Sequence, residues 1–146
     1  MLKLLEPEKV VIFWDDIKST LIYNLPPLAK DDGKALNNIL ESIIGYKTQV
    51  WVLLGEGKLY AVCITTTLED PSTKTKNLLI YSLYGYSFVP EELWREGLSS
   101  LRAFAQGNGY SQIVAYTKVP AIVSLAKKLG GSTDTTFITL EVDNGR

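Results

Sequence analysis

The sequence offers few side chains for catalysis. Among its 146 residues it contains no His and a single Cys, Cys63. Without His, nucleophile systems of the Ser-His-Asp and Cys-His types and His-based metal ligation are excluded, and one Cys cannot build a four-Cys zinc site or an Fe–S cluster. Cys63 stands between Val62 and Ile64, so we expect a core residue and not a nucleophile. The sequence therefore predicts no metal site and a chemistry without imidazole.

Tyrosines are the main titratable side chains of the stretch Asn77–Ser87, which contains no carboxylate. A Tyr with a pKa of about 10 is a poor base at neutral pH but a usable acid or hydrogen-bond donor. The alternative interpretation is that the rings simply pack a half-buried sheet face. Gly85, inside this predicted strand, indicates a β-bulge or the close approach of another backbone or of a ligand. Strand alternation divides the stretch into two faces: Ser82, Tyr84 and Tyr86 on one, and Tyr81, Leu83 and Gly85 on the other.

Charge and hydropathy limit the partners and the compartment. With 15 basic and 16 acidic residues, the chain has no electrostatic footprint for nucleic acid. The longest apolar stretch near its start, Val10–Trp14, has five residues, whereas a membrane span needs about 20. A single Cys suits a reducing compartment. We expect a cytoplasmic protein that binds neither nucleic acid nor membrane, and the length suits one domain over residues 1–146.

Hydrophobic periodicity changes along the chain from helical to strand spacing and back. Gly55-Glu56-Gly57 is typical of a three-residue hairpin loop, and Pro26-Pro27 ends the first helix. In the second half, strands and helices alternate, which implies parallel pairing through crossover connections. The predicted elements are a short strand (2–5), helices (7–25 and 31–45), strands (49–54, 58–64 and 77–87), a helix (90–106), a strand (112–117), a helix (120–129) and a strand (135–142). The predicted fold class is α/β (α+β), a mixed sheet with helices on both faces in the order (β)ααβββαβαβ.

This order of elements resembles that of the GNAT (Gcn5-related N-acetyltransferase) superfamily along nearly the whole chain. The best local match runs from Gln112 through Pro120 to Lys127-Lys128-Leu129-Gly130. It is similar to the family's fifth strand, its fourth helix and the Lys-Leu-Gly ending before its last strands. The resemblance implies a GNAT-like fold that binds acetyl-CoA and acts on a small-molecule or peptide amine.

The family binds the coenzyme A pyrophosphate with backbone N–H groups of a Gln/Arg-x-x-Gly-x-Gly/Ala motif at a helix N-terminus. The nearest match here is Trp94-Arg95-Glu96-Gly97-Leu98-Ser99, which keeps the middle Gly but replaces the first and last motif residues. Three carboxylates, those of Glu91, Glu92 and Glu96, oppose a diphosphate in this region. From the residues alone, Gly97 equally allows a helix to pack closely on the sheet. The resemblance implies cofactor-binding roles for Gly85, Tyr86, Arg95, Gly97, Leu98 and Ser99.

In the family, an Asn near the start of the helix after the fifth strand and a Tyr near its end often assist catalysis. The matching positions here are Val119 and Ala126, so the usual proton donor to the thiolate is missing. The candidate catalytic residues are therefore Tyr84, Tyr86 and Tyr116, which the resemblance puts beside the opening between the splayed strands. A bulge at Tyr84-Gly85-Tyr86 would turn backbone amides toward the acyl group there. Lys127, Lys128 and Arg102 either meet an adenosine phosphate or form solvated helix faces.

Three hypotheses follow. The first is an acyl-CoA-dependent N-acyltransferase in which an amine attacks the acetyl thioester directly, with no metal. The second is a catalytically inactive GNAT-fold binding or structural module, of a kind encoded by bacteria and phages, which the residues at positions 94, 119 and 126 favour. The third is a small-ligand regulatory α/β sandwich unrelated to GNAT. We expect residues 26–32 and 68–76 to determine which amine is accepted. The sequence leaves undecided whether the protein forms a homodimer.

Overall fold

A mixed sheet organises the part of the chain that the computed structural model describes, residues 1–22, 34–86 and 88–142. Its strands and helices are, in chain order, β1 (Leu2–Leu4), α1 (Pro7–Ile12), α2 (Trp14–Leu21), α3 (Ala35–Ile44), β2 (Thr48–Gly55), β3 (Lys58–Glu69), β4 (Lys76–Gly85), α4 (Glu91–Gly107), β5 (Gln112–Ala115) and α5 (Pro120–Lys128). In these ranges no helix has the length and the hydropathy to cross a membrane.

The five strands lie in the sheet in the same order as in the chain, from β1 to β5. The first four are antiparallel to their neighbours, and β5 is parallel to β4. A parallel pair needs a crossover connection, and α4 supplies it between β4 and β5. This arrangement confirms the mixed sheet that the alternation of strands and helices predicted.

The turn between β2 and β3 is tighter than the sequence indicated. Gly55 pairs with Lys58 in the ladder, so the connection consists of Glu56 and Gly57 alone. Both residues have positive φ, 52° and 72°, as in a type I′ turn, whose twist matches that of the flanking strands. The prediction of a three-residue loop beginning at Gly55 is wrong for this reason.

Helices cover both faces of the sheet, as predicted. The α1–α3 cluster lies on one face, where Val50 of β2 and Ile64 of β3 are buried with residues of the first three helices. The α4 cluster lies on the opposite face, where Trp51 of β2 and Cys63 of β3 are buried with Leu101 of α4. Neighbouring strand residues thus point into different clusters, which is the period-two pattern of a sheet that is buried on both sides.

The predicted first helix is interrupted. Phe13, with φ of −100° and ψ of 17°, separates α1 from α2. Val10 of α1 and Ile17 and Leu21 of α2 are nevertheless buried in the same α1–α3 cluster. The two segments therefore share one apolar face, which explains why the periodicity indicated a single helix. The predicted stop at Pro26-Pro27 lies outside the described residues.

The last predicted strand, 135–142, is absent. Residues 135–142 form no ladder, and Ile138, Leu140 and Val142 are 75%, 89% and 105% exposed. In the described residues β5 pairs only with β4, so this segment does not extend the sheet at the open edge of β5. Its β-branched and apolar composition therefore produces no strand, because strand propensity takes effect through cross-strand packing.

Candidate functional site

A β-bulge interrupts β4 at Tyr81. Ile64 of β3 pairs with Ser82, and the next residue, Thr65, pairs with Ile80, which leaves Tyr81 without a partner in the β3 ladder. Gly85, where the sequence predicted the bulge, pairs regularly with Ala61. That prediction is wrong because a glycine only permits a bulge, whereas the pairing across the two strands decides where the extra residue goes.

The bulge changes the face on which the β4 side chains lie. Simple alternation puts Tyr81 and Leu83 together, but Tyr81 packs against the α1–α3 cluster and Leu83 against the α4 cluster. Tyr84 pairs with Val62, a member of the α1–α3 cluster, and directly opposed residues point to the same face. One extra residue thus inverts the alternation, since a strand has a side-chain period of two.

Beyond the bulge, β4 loses its neighbour on the other side. Its pairing with β5 covers residues 77–80 against 112–115, and β5 ends at Ala115 while β4 continues to Gly85. Backbone groups of Tyr81–Gly85 that point away from β3 therefore have no strand partner among the described residues. We call this region the β4–β5 gap. It offers unpaired donors and acceptors at a sheet interior, where an extended ligand can pair as a strand would.

The structure brings two of the three predicted tyrosines together at the gap. The rings of Tyr84 and Tyr86 meet edge to face, with centroids 5.0 Å apart at 78°. Tyr86 is 44% exposed, and its backbone N–H donates to the carbonyl oxygen of Tyr60 at 2.9 Å. Tyr116 follows β5 on the other side of the gap, where its ring lies 4.6 Å from that of Phe137.

The predicted pyrophosphate motif lies inside α4. The helix begins at Glu91, and the N–H groups of Leu93 and Trp94 already bond to the carbonyl of Pro90. The free amides of this helix are therefore those of Glu91 and Glu92. Residues 94–99 belong to later turns, whose amides bond within the helix. Residues 94–99 thus do not form the helix N-terminus that the resemblance implied, because a short sequence match does not locate the first turn of a helix.

The side chains of this predicted motif point in different directions. Gly97 is buried, and a Cβ there would lie 3.6 Å from Leu53 of β2, so the packing interpretation holds for it. Leu98 is half-buried, and Arg95 and Ser99 are exposed. The amides of Gly97, Leu98 and Ser99 therefore form no cradle at a helix end, while Arg95 remains available through its guanidinium.

An ion-pair cluster joins the start of α4 to the end of α5. The carboxylate of Glu91 accepts from Arg95 Nε at 3.3 Å and from Lys128 Nζ at 3.0 Å. Hydrogen bonds from Lys128 and Arg95 hold the pKa of Glu91 below its ordinary value. Sequence reasoning noted Glu91 and Lys128 separately but missed their contact, since no local pattern relates residues so far apart.

The other positions that the sequence analysis considered have structural roles and supply no catalytic group. Cys63 is buried, which confirms a core residue, and this burial raises the pKa of its thiol to about 12. Asp70 accepts the N–H and the hydroxyl of Ser72, both through Oδ1, and these bonds lower its pKa. Val119 precedes α5 and Ala126 lies within it, and neither aliphatic side chain can donate a proton. Within the described ranges no three Cys, Asp or Glu side chains cluster as metal ligands.

A second concavity lies away from the gap. An open, mainly apolar depression of about 560 Å³ is found between the β2–β3 turn and α4, with Leu54, Leu93 and Glu96 among its lining residues. None of the predicted site residues lines it. Its surroundings combine neither unpaired strand backbone nor the tyrosines, so the β4–β5 gap is the better candidate site.

Comparison with known proteins gives a consistent result. No protein-family model and no curated protein matches the chain, but solved structures do. A predicted acetyltransferase with acetyl-CoA from Clostridium acetobutylicum matches with a TM-score of 0.71 at 14% identity, over 97% of this chain and 96% of that one. An aminoglycoside acetyltransferase in complex with sisomicin, from an uncultured soil metagenomic sample, matches with a TM-score of 0.71 at 12% identity, over 98% of this chain and 95% of that one. A ribosomal-protein-alanine N-acetyltransferase from Brucella melitensis biovar Abortus 2308 matches with a TM-score of 0.66 at 14% identity, over 97% of this chain and 99% of that one.

These identities are low, so the matches report on the fold. They extend over nearly the full length of each chain, and they agree with the element order and the mixed sheet described above. The matches contradict the third hypothesis in its fold, because that hypothesis assumed an α/β sandwich of a different kind. The chain has the GNAT fold, as the resemblance in its sequence implied.

Proposed function

We propose that this protein is an acyl-CoA-dependent N-acyltransferase that transfers an acetyl group from acetyl-CoA to an amine. The observation that carries the proposal is the β4–β5 gap, which opens directly after the bulge at Tyr81. A solved structure of the same fold, the protein from Clostridium acetobutylicum, contains acetyl-CoA. The gap therefore supports a role in binding the pantetheine and acyl parts of this molecule.

Backbone groups of β4 fit an extended ligand that carries amides. Residues Tyr81–Gly85 have no strand partner on the β5 side in the described structure, and the pantetheine arm contains two amide groups. Pairing of such groups with a strand supplies affinity through main-chain hydrogen bonds, as in strand addition by peptides. No side chain of a particular type is needed for this contact.

The start of α4 fits the phosphates of coenzyme A. The free amides of its first turn and its positive dipole end favour an anion. Lys128 and Arg95 lie within 3.0 and 3.3 Å of the Glu91 carboxylate at this helix start, so both cations are within reach of a phosphate there. In this proposal the phosphate replaces Glu91 as their partner.

Acetyl-CoA supplies an activated acetyl group, so that a C–N bond to the amine forms while the C–S bond breaks and the amine's proton ends on the sulfur. The chain's own contribution is orientation and polarisation. Unpaired N–H groups of β4 stabilise negative charge on the carbonyl oxygen. Tyr84, Tyr86 and Tyr116 are the candidate proton donors to the thiolate, since a phenol is an acid of suitable strength.

Thermal unfolding with and without millimolar acetyl-CoA tests the proposal. A ligand at 100 times its Kd stabilises a protein by about 2.7 kcal/mol. Lys128→Met should weaken this binding about two- to fivefold, the equivalent of losing one exposed charge contact. Lys127→Met is the matched control, because of these two neighbouring lysines only Lys128 holds an ion pair at the start of α4 in the described structure. No stabilisation by acetyl-CoA, CoA or longer acyl-CoAs would refute the proposal.

Turnover separates the enzyme from an inactive binding module. The second hypothesis, an inactive binding module, is supported by Val119 and Ala126, which occupy positions where the family often has polar side chains. Neighbours of the same fold include an aminoglycoside acetyltransferase and a ribosomal-protein-alanine N-acetyltransferase. The amine panel should therefore contain aminoglycosides and peptides with a free N-terminus. Binding of acetyl-CoA without acetylation of any of these amines would favour the module.

A further inference from the structure

A buried hydrogen-bonded network lies directly beside the bulge. Thr65 of β3 is completely buried, and its hydroxyl makes two hydrogen bonds. It accepts from Trp51 Nε1 at 2.9 Å and donates to Gln49 Oε1 at 2.8 Å. The hydroxyl thus ties two side chains of β2 to β3, and it uses its donor and one acceptor position in doing so.

Thr65 is also the residue at which the register between β3 and β4 changes. It pairs with Ile80, whereas Cys63, two residues earlier on β3, pairs with Leu83. A two-residue interval on β3 therefore lies opposite a three-residue interval on β4. Ile80 and Leu83 are for this reason farther apart than two successive side chains on the same face of a regular strand. Both of these β4 side chains pack against the α4 cluster, so the bulge leaves extra space on that face.

Trp51 occupies this same cluster. It is 4% exposed, it is buried with Leu78 in the α4 cluster, and its ring meets that of Phe104 edge to face with centroids 5.0 Å apart. Its hydrogen bond to Thr65 fixes which way the indole lies across β3, because a buried indole N–H without a partner is costly. A large ring held in one orientation then belongs to the same cluster as Ile80 and Leu83, the β4 residues on either side of the bulge.

We infer that Thr65 is a positioning residue for the proposed transferase site. By holding Trp51 in one orientation, it keeps the bulge of β4 at Tyr81 and thereby sets where the unpaired backbone of the β4–β5 gap begins. Residues 78–84 contain no proline and no charged residue that would mark this position, and Gly85 pairs regularly. The role in acyl binding rests on the proposed function, whereas the role in placing the bulge does not.

Two measurements on Thr65→Val test the inference. The first is amide hydrogen exchange, where we expect segment 80–86 to exchange about tenfold faster through local opening. The second is the ratio of the Kd for CoA to the Kd for acetyl-CoA, which reports the contact to the acetyl carbonyl. We expect that ratio to fall about fivefold, the equivalent of one hydrogen bond. A loss of stability alone weakens both ligands alike and leaves the ratio unchanged.

Thr48→Val is the matched control. Thr48 is also a buried threonine with hydroxyl bonds, to Ser42 at 2.6 Å and Thr66 at 3.2 Å, but it connects the sheet to α3 and not to the α4 cluster. Thr65→Ser keeps the hydroxyl and should retain wild-type values. If Thr65→Val does not fold, Trp51→Phe removes the same hydrogen bond and keeps a ring.

Every outcome decides one of the two ideas. Faster exchange in segment 80–86 for Thr65→Val, with Thr48→Val unchanged, supports the placement of the bulge even if the wild type binds neither ligand, in which case only the proposed function fails. Equal effects of the two valine variants on exchange, or an unchanged ratio in a Thr65→Val protein that binds both ligands, would overturn the inference.

Discussion

At the scale of single residues, Glu91 shows how one partner changes the meaning of a side chain. As an acid in the first turn of α4 it suits the helix dipole but repels a phosphate. The contacts from Arg95 and Lys128 reduce that repulsion and bring both cations to the helix start. Glu91 is thus the anion that the chain itself supplies to these two cations, and under the proposed function a coenzyme A phosphate would take its place.

Acid should remove this stabilisation. The pKa of Glu91 in the folded protein lies below its ordinary value of 4.5, so the contacts stabilise the fold above about pH 4.5 and the effect is lost as pH falls through the lower folded value. Between pH 7 and pH 3 the Tm of Glu91→Gln should therefore fall less than that of the wild type. Glu92→Gln, a neighbouring exposed acid, serves as the control. Parallel Tm curves for Glu91→Gln and the wild type would show that the ion pairs do not persist in solution.

At the scale of elements, α4 depends on packing more than on special glycine geometry. Gly97 lies in the helix interior, and a Cβ added there would meet Leu53 at 3.6 Å, an ordinary contact. Gly109, after the helix, has φ of +75°, a conformation that side chains rarely adopt. The first glycine is thus replaceable, whereas the second is required by the backbone.

Two alanine variants should therefore have opposite signs. Gly97→Ala should raise the free energy of unfolding by about 0.5–1 kcal/mol, because alanine favours a helix interior over glycine. Gly109→Ala should lower the free energy of unfolding by about 1–2 kcal/mol, because alanine is strained in the left-handed conformation. Steric contact adds nothing to this cost, since the new Cβ would meet only Lys76 Cε at 3.8 Å. Urea denaturation measures both. Destabilisation by Gly97→Ala would mean that α4 lies closer to β2 than the structure places it.

At the scale of the whole molecule, the stability resides in two apolar layers on either side of one sheet. The α1–α3 cluster and the α4 cluster meet through alternating residues of β2 and β3. The segment that ends the described chain, with Leu140 at 89% exposure, belongs to neither cluster. Most of the hydrophobic stabilisation should therefore arise before residue 130.

A pair of leucines tests this division. Leu78 is fully buried in the α4 cluster, so Leu78→Ala should cost about 2–5 kcal/mol. Leu140→Ala should change the free energy of unfolding by less than about 0.5 kcal/mol, as at other exposed positions. Urea denaturation of both variants provides the comparison. A cost above about 1 kcal/mol for Leu140→Ala would indicate that residues 135–142 pack as a strand after all.

Much of the architecture could be predicted from sequence. Helical and strand periodicities located nearly all elements, and the alternation of strands and helices in the second half indicated the parallel pair and helices on both faces. These features depend on residues a few positions apart, whose spacing the chain itself records. The lack of His in these 146 residues likewise predicted, before any coordinates, that the chain builds no nucleophile system from its own imidazoles.

The features that shape the candidate site required the tertiary structure. The bulge at Tyr81, the reversal of faces after it and the contact of Glu91 with Lys128 join residues from different elements. Likewise, 135–142 has the composition of a strand but lacks a partner. Local sequence specifies which conformations a segment tolerates, whereas register and partners are chosen by the packing of distant segments against each other. The sequence alone thus determined the framework of this protein, and the three-dimensional pairing of its strands decided where that framework opens.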